Sequence, residues 1–396
     1  MNRPEKPRGK LAIGLPRGDR TIENFHVSAP KNYPVRVQGK LNRVAFAAAH
    51  VVADPLADVD PWLETAIDWD QTIAFREHLW DLGFGVAEAM DTAQRGMGLD
   101  WPTSLELIKR SVKAAKARGA LVFSGAGTDH LAPESAKSLD DVIGAYEEQV
   151  GAVEKTGGRI ILMASRALAR IGRSAEEYAK VYDRVLGQVR EPVIIHWLGD
   201  MFDPQLKGYW GSSDLDAAMH TAVEIINAHA KKIDGVKISL LDKDKEIVMR
   251  RRLVPSVRMY TGDDFNYAEL IAGDEKGYSD ALLGIFDAIA PAASAALARL
   301  AASDTKAFHE ILAPTVALSR HIFRAPTRFY KTGVVFMAYL NGHQNHFTMV
   351  GGQESARSTL HLCEIFRLAD AAGLLRDPDL SVARMHNVLS ARGVGI

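Results

Sequence analysis

The chain has 396 residues, enough for one large or two ordinary domains, and its 47% hydrophobic and 24% charged content is typical of soluble globular proteins. Its formal net charge of −1 gives no electrostatic basis for binding nucleic acid or an anionic membrane. The single cysteine, Cys363, cannot form an internal disulfide, and no apolar stretch is long enough for a signal peptide or a membrane span. We therefore expect a cytoplasmic protein.

Residues 1–43 form an extension that is rich in proline, glycine and arginine. Two fragments within it, "LAIGL" and "VRVQGKL", have the composition of short strands. We expect the extension to form a hairpin that caps the bottom of the domain that follows.

From about residue 44 a short apolar run, a polar loop and an amphipathic stretch recur eight times. The runs begin at Arg43, Gly83, Gly119, Gly158, Pro192, Gly235, Ser256 and Tyr278. Consecutive rather than alternating apolar residues predict strands that are buried on both faces, as in a parallel sheet. The stretches between the runs have the spacing of amphipathic helices, for example Leu105, Ile108, Val112 and Ala115.

Eight strand–helix units over roughly 250 residues predict a (β/α)8 TIM barrel at 44–302. After residue 303 the pattern is purely helical, so residues 303–396 are expected to form a C-terminal helical bundle packed on the barrel. Its helices are predicted at 304–324, 328–341, 353–372 and 380–391. A doubly wound sheet is the alternative, but no run is followed by the glycine fingerprint of a dinucleotide site.

The active site of a parallel barrel lies at the carboxyl ends of its strands. Polar and aromatic residues at the predicted strand ends are His50, Glu88, Asp91, Thr92, Ser165, Arg166, His196, Trp197, Lys237, Asp263 and Asp264. Lys237 lies within the apolar stretch "DGVKISLL", and lysine is rarely buried without a partner. We expect its amine at the barrel mouth, where desolvation lowers the pKa and favours attack on a carbonyl. A lysine held by an acidic neighbour is the structural alternative.

The "GVK" of the sixth run, followed by "YTGDD" at Tyr260–Asp264, resembles the dihydrodipicolinate synthase and N-acetylneuraminate lyase superfamily. The order of strands and the helical tail resemble that superfamily too. The resemblance implies that Lys237 forms a Schiff base with a 2-oxo acid. It also implies that His196 stands where the family has a proton-relay tyrosine, and imidazole exchanges protons near neutral pH.

The resemblance also implies a substrate-binding set. Gly262, Asp263 and Asp264 match the segment that holds substrate hydroxyls, and the family's carboxylate-binding loop falls on 91–95, where Thr92 fits and Arg95 is a candidate for the carboxylate. Glu88, Ser165, Arg166 and Trp197 are added to the set because they lie at predicted strand ends. Trp197, with Phe202, Tyr209 and Trp210, is suited to stacking on sugar rings or to packing as a lid. Met201 occupies the position of the arginine that recognises aspartate semialdehyde, so the diaminopimelate reaction is not expected.

The leading hypothesis is a lyase, aldolase or dehydratase of the class I aldolase type, acting on a 2-oxo acid or keto-sugar without cofactor or metal. A divalent-metal-dependent sugar isomerase or epimerase is the first alternative, with His50, Glu88, Asp91, His196 and Asp263 as ligands. A non-catalytic sugar or oxo-acid sensor is the second. We expect a homodimer or homotetramer, from the resemblance and from "GVVFMAYL" at 333–340, which is apolar nearly all round and needs burial on every side.

Overall fold

A closed barrel of eight parallel strands forms the centre of the computed structural model, which describes residues 11–37 and 39–395. The strands are β1 Ala12–Pro16, β2 Ile22–His26, β3 Ala45–Ala48, β4 Gly85–Glu88, β5 Val122–Ala126, β6 Arg159–Leu162, β7 Val193–Leu198, β8 Ile233–Ser239, β9 Arg258–Thr261 and β10 Asp280–Leu283. Strands β3–β10 pair in chain order, and β10 closes on β3. The predicted TIM barrel is confirmed.

Helices surround the barrel and extend beyond it. They are α1 Trp69–Asp81, α2 Trp101–Arg118, α3 Leu139–Lys155, α4 Arg166–Ile171, α5 Ala175–Gln188, α6 Leu215–Ala228, α7 Lys243–Arg252, α8 Tyr267–Ala272, α9 Ile285–Ala288, α10 Ala290–Ala301, α11 Thr305–Ile322, α12 Tyr330–Leu340, α13 Thr359–Ala371 and α14 Pro378–Ala391. Several begin at a side chain that accepts an early backbone N–H, as Asp100 does from Thr103 at 2.9 Å. In the described chain, no helix combines the length and the apolar character that crossing a membrane requires.

Aromatic side chains fill the lower part of the barrel interior. Phe46 packs edge-on against Phe123 and Tyr260, with ring centroids 5.3 and 5.8 Å apart. Gly235 leaves space for this cluster, because a Cβ there would lie 2.5 Å from Cε2 of Tyr260. The interior is therefore packed up to the level at which polar residues begin.

The N-terminal hairpin differs from the expectation in its strands and in its position. Strands β1 and β2 pair with each other, and no strand forms at 35–41 among the residues described there; residues 1–10 of the extension lie outside the described residues. The hairpin packs on the C-terminal helices because Phe25 meets Phe366 edge-on at 6.2 Å and Glu23 pairs with Arg367. The stretch that follows β2 reaches the base of the barrel, where the Val37 N–H donates to the Asp81 carbonyl at 2.8 Å.

The apolar helix α12 is buried along its whole length within this one chain. It packs against α9, α13, α14 and the turn at 350–355. Other elements of the same chain therefore bury the apolar surface of α12. The apolar character of this helix is then no evidence for association between subunits. A homodimer or homotetramer stays a prediction that rests on the resemblance.

A buried ion pair joins the barrel to its first helix. Arg76 of α1 donates through Nη2 and Nε to the two carboxylate oxygens of Glu88 at 2.8 and 2.9 Å, and both side chains are fully buried. Ser111 of α2 and the Ala89 N–H also donate to Glu88. Glu88 thus faces the helices, and its oxygens are satisfied there.

We predict that Arg76→Met lowers the free energy of unfolding by about 3–5 kcal/mol, because it leaves the Glu88 carboxylate buried without its partner. Denaturant titration followed by circular dichroism measures the loss. The matched control is Arg184→Met, since Arg184 pairs with Glu147 at the surface and its side chain is 60% exposed. The control should lose about 1 kcal/mol or less. Equal losses in the two variants would contradict a stabilising role for the buried pair.

Candidate active site

Lys237 lies inside the barrel near the carboxyl end of β8. It is in register with His196 on β7 and with Tyr260 on β9, and it is 8% exposed. Within the described chain its amine has no hydrogen-bond or ion-pair partner. Burial lowers the pKa of Lys237, and the nearby Asp264 and Asp91 oppose that shift without reversing it. Lys237 therefore meets the conditions for a nucleophilic amine.

Gly262, directly after β9, provides the space for the Lys237 side chain. A Cβ at this position would lie 2.9 Å from Cε of Lys237 and 2.6 Å from the carbonyl oxygen of Ile238. The Gly262 N–H donates to that same carbonyl at 2.9 Å, which fixes the backbone here. The close approach requires glycine because the strand ends converge on the lysine stem.

His196 lies beside Lys237 and is also buried. Its Nε2 is 3.4 Å from Oγ of Ser239, a neighbour on β8. Burial, and next the positive charge of Lys237, lowers the pKa of His196 well below its usual value of 6.5. The imidazole is therefore neutral near neutral pH and can accept a proton. Its titration is expected at a more acidic pH than the near-neutral pH inferred from the sequence.

Two carboxylates lie close enough to Lys237 to act on its charge. Asp264 follows β9, where its Oδ1 accepts the Ile285 N–H at 2.9 Å, and burial raises its pKa above the usual range. Asp91 lies after β4, and its Oδ1 accepts from Nζ of Lys331 at 2.9 Å while its buried Oδ2 has no partner among the described residues. The amine of Lys237, which has no ion-pair partner among the described residues, thus lies near the two carboxylates of Asp264 and Asp91.

Tyr330, at the start of α12, enters the barrel mouth from the C-terminal tail. Its hydroxyl is 2.7 Å from Oγ1 of Thr92, and its ring stacks on Phe323 with centroids 4.3 Å apart. Burial, and next the charge of Asp91, raises the pKa of Tyr330 well above 10, so the phenol keeps its proton. The predicted residue Thr92 is therefore joined to a tyrosine that sequence analysis did not select.

A cavity of about 420 Å³ opens at the mouth, and its lining includes His196, Asp91, Arg166 and Arg328. Arg166 is held by Asp203 of the loop after β7, with Nε 2.5 Å from Oδ2. Arg328 is exposed and has no ion-pair partner among the described residues. A cavity of this size and mixed lining suits a small polar substrate.

Three of the predicted substrate-binding residues have other partners. Arg95 lines the cavity, but its side chain is 1% exposed and its guanidinium donates to Asp129 at 2.7 and 3.0 Å. Ser165 caps α4 and bonds to Thr128 at 2.6 Å. Asp263 accepts the N–H groups of Phe265 and Asn266 within its own turn.

Trp197 and Glu88 lie on the outer side of their strands. Trp197 is 2% exposed and packs edge-on against Trp210, which stacks on Tyr182 of α5 with centroids 4.7 Å apart. These aromatic residues form part of the layer between barrel and helices, so they do not present a stacking surface to the cavity. Glu88 is similarly occupied by Arg76.

The five proposed metal ligands do not converge. His50 pairs with Asp287 at 2.8 Å, Glu88 pairs with Arg76, and Asp263 caps its own turn. In residues 11–37 and 39–395, no group of three or more His, Cys, Asp or Glu side chains has an arrangement that could hold a metal ion.

Tyr330 and Arg328 were missed because they follow no predicted strand. Tyr330 is the first residue of α12 and Arg328 lies two residues before it, about 240 residues from Thr92 along the chain. Only the packing of α12 over the barrel brings them to the mouth. Within the sequence, the one available signal was the polar start, Arg328–Lys331, of an otherwise apolar helix.

The fold of this chain is similar to that of solved structures of dihydrodipicolinate synthases. The enzyme from Acinetobacter baumannii in complex with pyruvate has 17% identity and a TM-score of 0.61, with 84% of this chain and 99% of that chain covered. Those from Bacillus clausii and Aquifex aeolicus have 14% and 13% identity and TM-scores of 0.58 and 0.56. They cover 82% and 89% of this chain, and 96% and 98% of their own chains. The likeness of fold inferred from the sequence is confirmed.

The chain belongs to the family described as "Protein of unknown function (DUF993)", whose model matches residues 13–394. The match includes the hairpin, the barrel and the tail helices. No curated protein sequence matches the chain.

We predict that Gly262→Ala slows the reaction of Lys237 with carbonyl compounds by at least about tenfold, because the added methyl group displaces the lysine stem. Borohydride reduction of the adduct followed by peptide mass spectrometry measures the rate. Gly144→Ala on α3 is the control, since a Cβ there meets nothing within 4 Å. An unchanged rate in a folded Gly262→Ala protein would contradict the close approach.

Proposed function

We propose that this protein is a lyase, aldolase or dehydratase of the class I aldolase type, acting on a 2-oxo acid or keto-sugar through an imine on Lys237. The single observation that carries the proposal is a buried amine without a partner among the described residues, at the mouth of a closed barrel. Maintaining such an amine is costly, since desolvation disfavours its charged form. A nucleophilic role accounts for this cost, because the neutral amine is the reactive form.

In the proposed reaction the Lys237 nitrogen attacks the substrate carbonyl carbon, and loss of water from the adduct gives an iminium ion. The iminium takes up an electron pair from a bond at the adjacent carbon and becomes an enamine. If that bond joins the adjacent carbon to the next carbon, the departing fragment gives its hydroxyl proton to His196 and leaves as a carbonyl compound, and the enamine is then protonated. If that bond is a C–H bond, the proton passes to His196, and the enamine expels a hydroxyl from the next carbon as water once that hydroxyl has been protonated. Hydrolysis of the imine in either case releases the product and restores the amine.

The proton transfers are assigned to His196, with Tyr330 as the second candidate. His196 adjoins Lys237 and is neutral, so it can accept a proton from the attacking amine or from the substrate carbon. Tyr330 keeps its proton and is hydrogen-bonded to Thr92, so it is suited to donating one. His196 is thus suited to accepting protons, and Tyr330 is suited to donating them.

Arg328, assisted by the Nη groups of Arg166, is proposed to bind the carboxylate of a 2-oxo acid in place of Arg95, because Arg166 bonds to Asp203 through Nε and its side chain is 34% exposed. Arg328 has no competing ion pair among the described residues, whereas the hydrogen bonds of Arg95 are directed to Asp129. Guanidinium groups bind carboxylates through paired N–H donors. The pyruvate in the Acinetobacter baumannii structure is a 2-oxo acid of this class. Asp264, close to Lys237, is proposed to hold a substrate hydroxyl.

We predict that borohydride treatment with a 2-oxo acid panel adds one substrate mass to the wild-type peptide that contains Lys237. Lys237→Arg keeps the positive charge but cannot form the imine, so it should abolish both labelling and turnover. Lys207→Arg, in the loop after β7, is the control and should retain both. Full activity of the Lys237→Arg protein would refute the proposal.

We predict that His196→Asn lowers kcat by about 10²–10⁴ while imine trapping at Lys237 persists, because the nucleophile is unchanged. Since the pKa of His196 lies well below 6.5, the imidazole remains the neutral base as the pH falls from 8 to 6. Protonation of His196 should therefore not lower wild-type kcat between pH 8 and pH 6, and kcat should fall only at more acidic pH.

Two further variants complete the His196 experiment. His220→Asn alters an exposed histidine on α6 and should leave the profile unchanged. Tyr330→Phe removes the second candidate hydroxyl. A normal kcat in His196→Asn together with a large loss in Tyr330→Phe would assign the proton transfer to Tyr330 instead.

A further inference from the structure

A second cavity, of about 400 Å³, lies on the flank of the barrel and shares no lining residue with the first. Its walls come from α1, α9, α10, α12 and the extended segment 30–35. That segment is held on the tail, because the Lys31 N–H donates to the Gly373 carbonyl at 3.2 Å and the Tyr33 hydroxyl donates to the Ala372 carbonyl at 3.1 Å. The pocket therefore has defined walls on all these sides.

A buried carboxylate with an unsatisfied oxygen belongs to this pocket. Asp287 lines the cavity and is 4% exposed, and its Oδ2 accepts from the N–H and Nδ1 of His50, both at 2.8 Å. Its Oδ1 is buried and has no donor among the described residues. One oxygen is enough to join β3 to α9 through His50. The other oxygen, Oδ1, still lacks a hydrogen-bond donor in the described chain. A buried carboxylate oxygen in this condition is costly unless a ligand donates to it.

The other charges at the pocket are positive. Arg376 and Lys31 both line it, while Arg376 uses only its backbone N–H and one Nη2 hydrogen bond, both to Asn341. His78 and His343 add no charge. Burial, and next Arg376, lowers the pKa of His78 to about 4, and burial, and next His78, lowers the pKa of His343 well below 6.5. With Asp287, the lining carries two cations and one anion, so it favours a ligand with a negative group.

The rest of the lining is apolar and comes from Pro34, Pro291, Met337, Ala338 and Leu374. Such a wall favours an aliphatic body between the polar ends of a ligand. The two neutral imidazoles can each donate or accept a hydrogen bond, so they suit a polar substituent without adding a charge.

We propose that this pocket binds a small organic acid that also carries a hydroxyl or ammonium group, with its carboxylate at Arg376 and its donor group at Asp287. The proposal is independent of the imine chemistry at Lys237. Hydroxy acids and amino acids share this combination of groups, and the experiment below separates them.

The probes are 6-hydroxyhexanoate, 6-aminohexanoate and hexanoate, with their four-carbon counterparts, titrated calorimetrically into the full-length protein. We expect at least one hydroxy or amino acid to bind with a Kd of about 1 mM or tighter, and at least about tenfold more tightly than the unsubstituted acid of equal length, which leaves Oδ1 of Asp287 unsatisfied. Preference for the hydroxyl or the amino series identifies which donor the pocket selects.

Variants localise the binding. Arg376→Gln should weaken it by about tenfold or more, and so should Asp287→Asn, provided that its circular dichroism spectrum is native. Arg376 is exposed, so its replacement tests the pocket even if Asp287→Asn fails to fold. Arg190→Gln, at the surface away from the pocket, is the matched control and should bind normally.

Lys237→Arg separates this pocket from the barrel mouth and should bind the probes as the wild type does. The proposal is overturned if no probe binds at about 10 mM, if Arg376→Gln binds as tightly as the wild type, or if binding is lost in Lys237→Arg. Failure of imine trapping would leave these binding results unaffected.

Discussion

The desolvation of one amine governs the arrangement of the barrel mouth. Lys237 is on a strand whose neighbours are close on both sides, and Gly262 allows the next strand end to approach its stem. An ammonium group in such a place is costly unless opposite charges lie nearby or the group loses its proton. The structure provides nearby opposite charges on Asp264 and Asp91, and burial nevertheless lowers the pKa of Lys237.

Most other charges at the mouth neutralise one another, which leaves the buried Lys237 and the exposed Arg328 without ion-pair partners among the described residues. Arg95 is paired with Asp129, Arg166 with Asp203, and Lys331 with Asp91. These pairs help to set the shape of the cavity, because they connect the loop after β4 to the loop after β5 and to α12, and the segment after β6 to the loop after β7. The groups that line the cavity are therefore held in position by ion pairs within the chain.

The C-terminal tail is part of the site and also lines the second cavity. Tyr330, at the start of α12, reaches Thr92 at the barrel mouth, while Met337 and Ala338, two turns further along, line the flank pocket. Helix α12 is buried on every side by α9, α13 and α14, so its two ends are held in a fixed relation. A barrel without this tail would lack the hydroxyl at its mouth and one wall of the flank pocket.

The barrel itself could be predicted from the sequence. Eight apolar runs separated by helical periods require a parallel sheet, and their order matches β3 to β10 without exception. Lys237 was also recognisable, because a lysine in an apolar strand is improbable without a function or a partner. These features are local, so spacing and composition carry them.

Tertiary structure alone decided which strand-end residues face the cavity. Glu88 was expected in the site, yet it turns outwards because the buried Arg76 of α1 offers a matching charge, and Trp197 turns outwards into an aromatic cluster. Tyr330 reaches the site from about 240 residues away. Adjacent residues of a strand point to opposite faces, and a one-residue difference at its end reverses the outcome. The sequence by itself therefore determined the barrel and its unusual lysine, whereas the partners of each side chain depended on contacts between segments far apart in the chain.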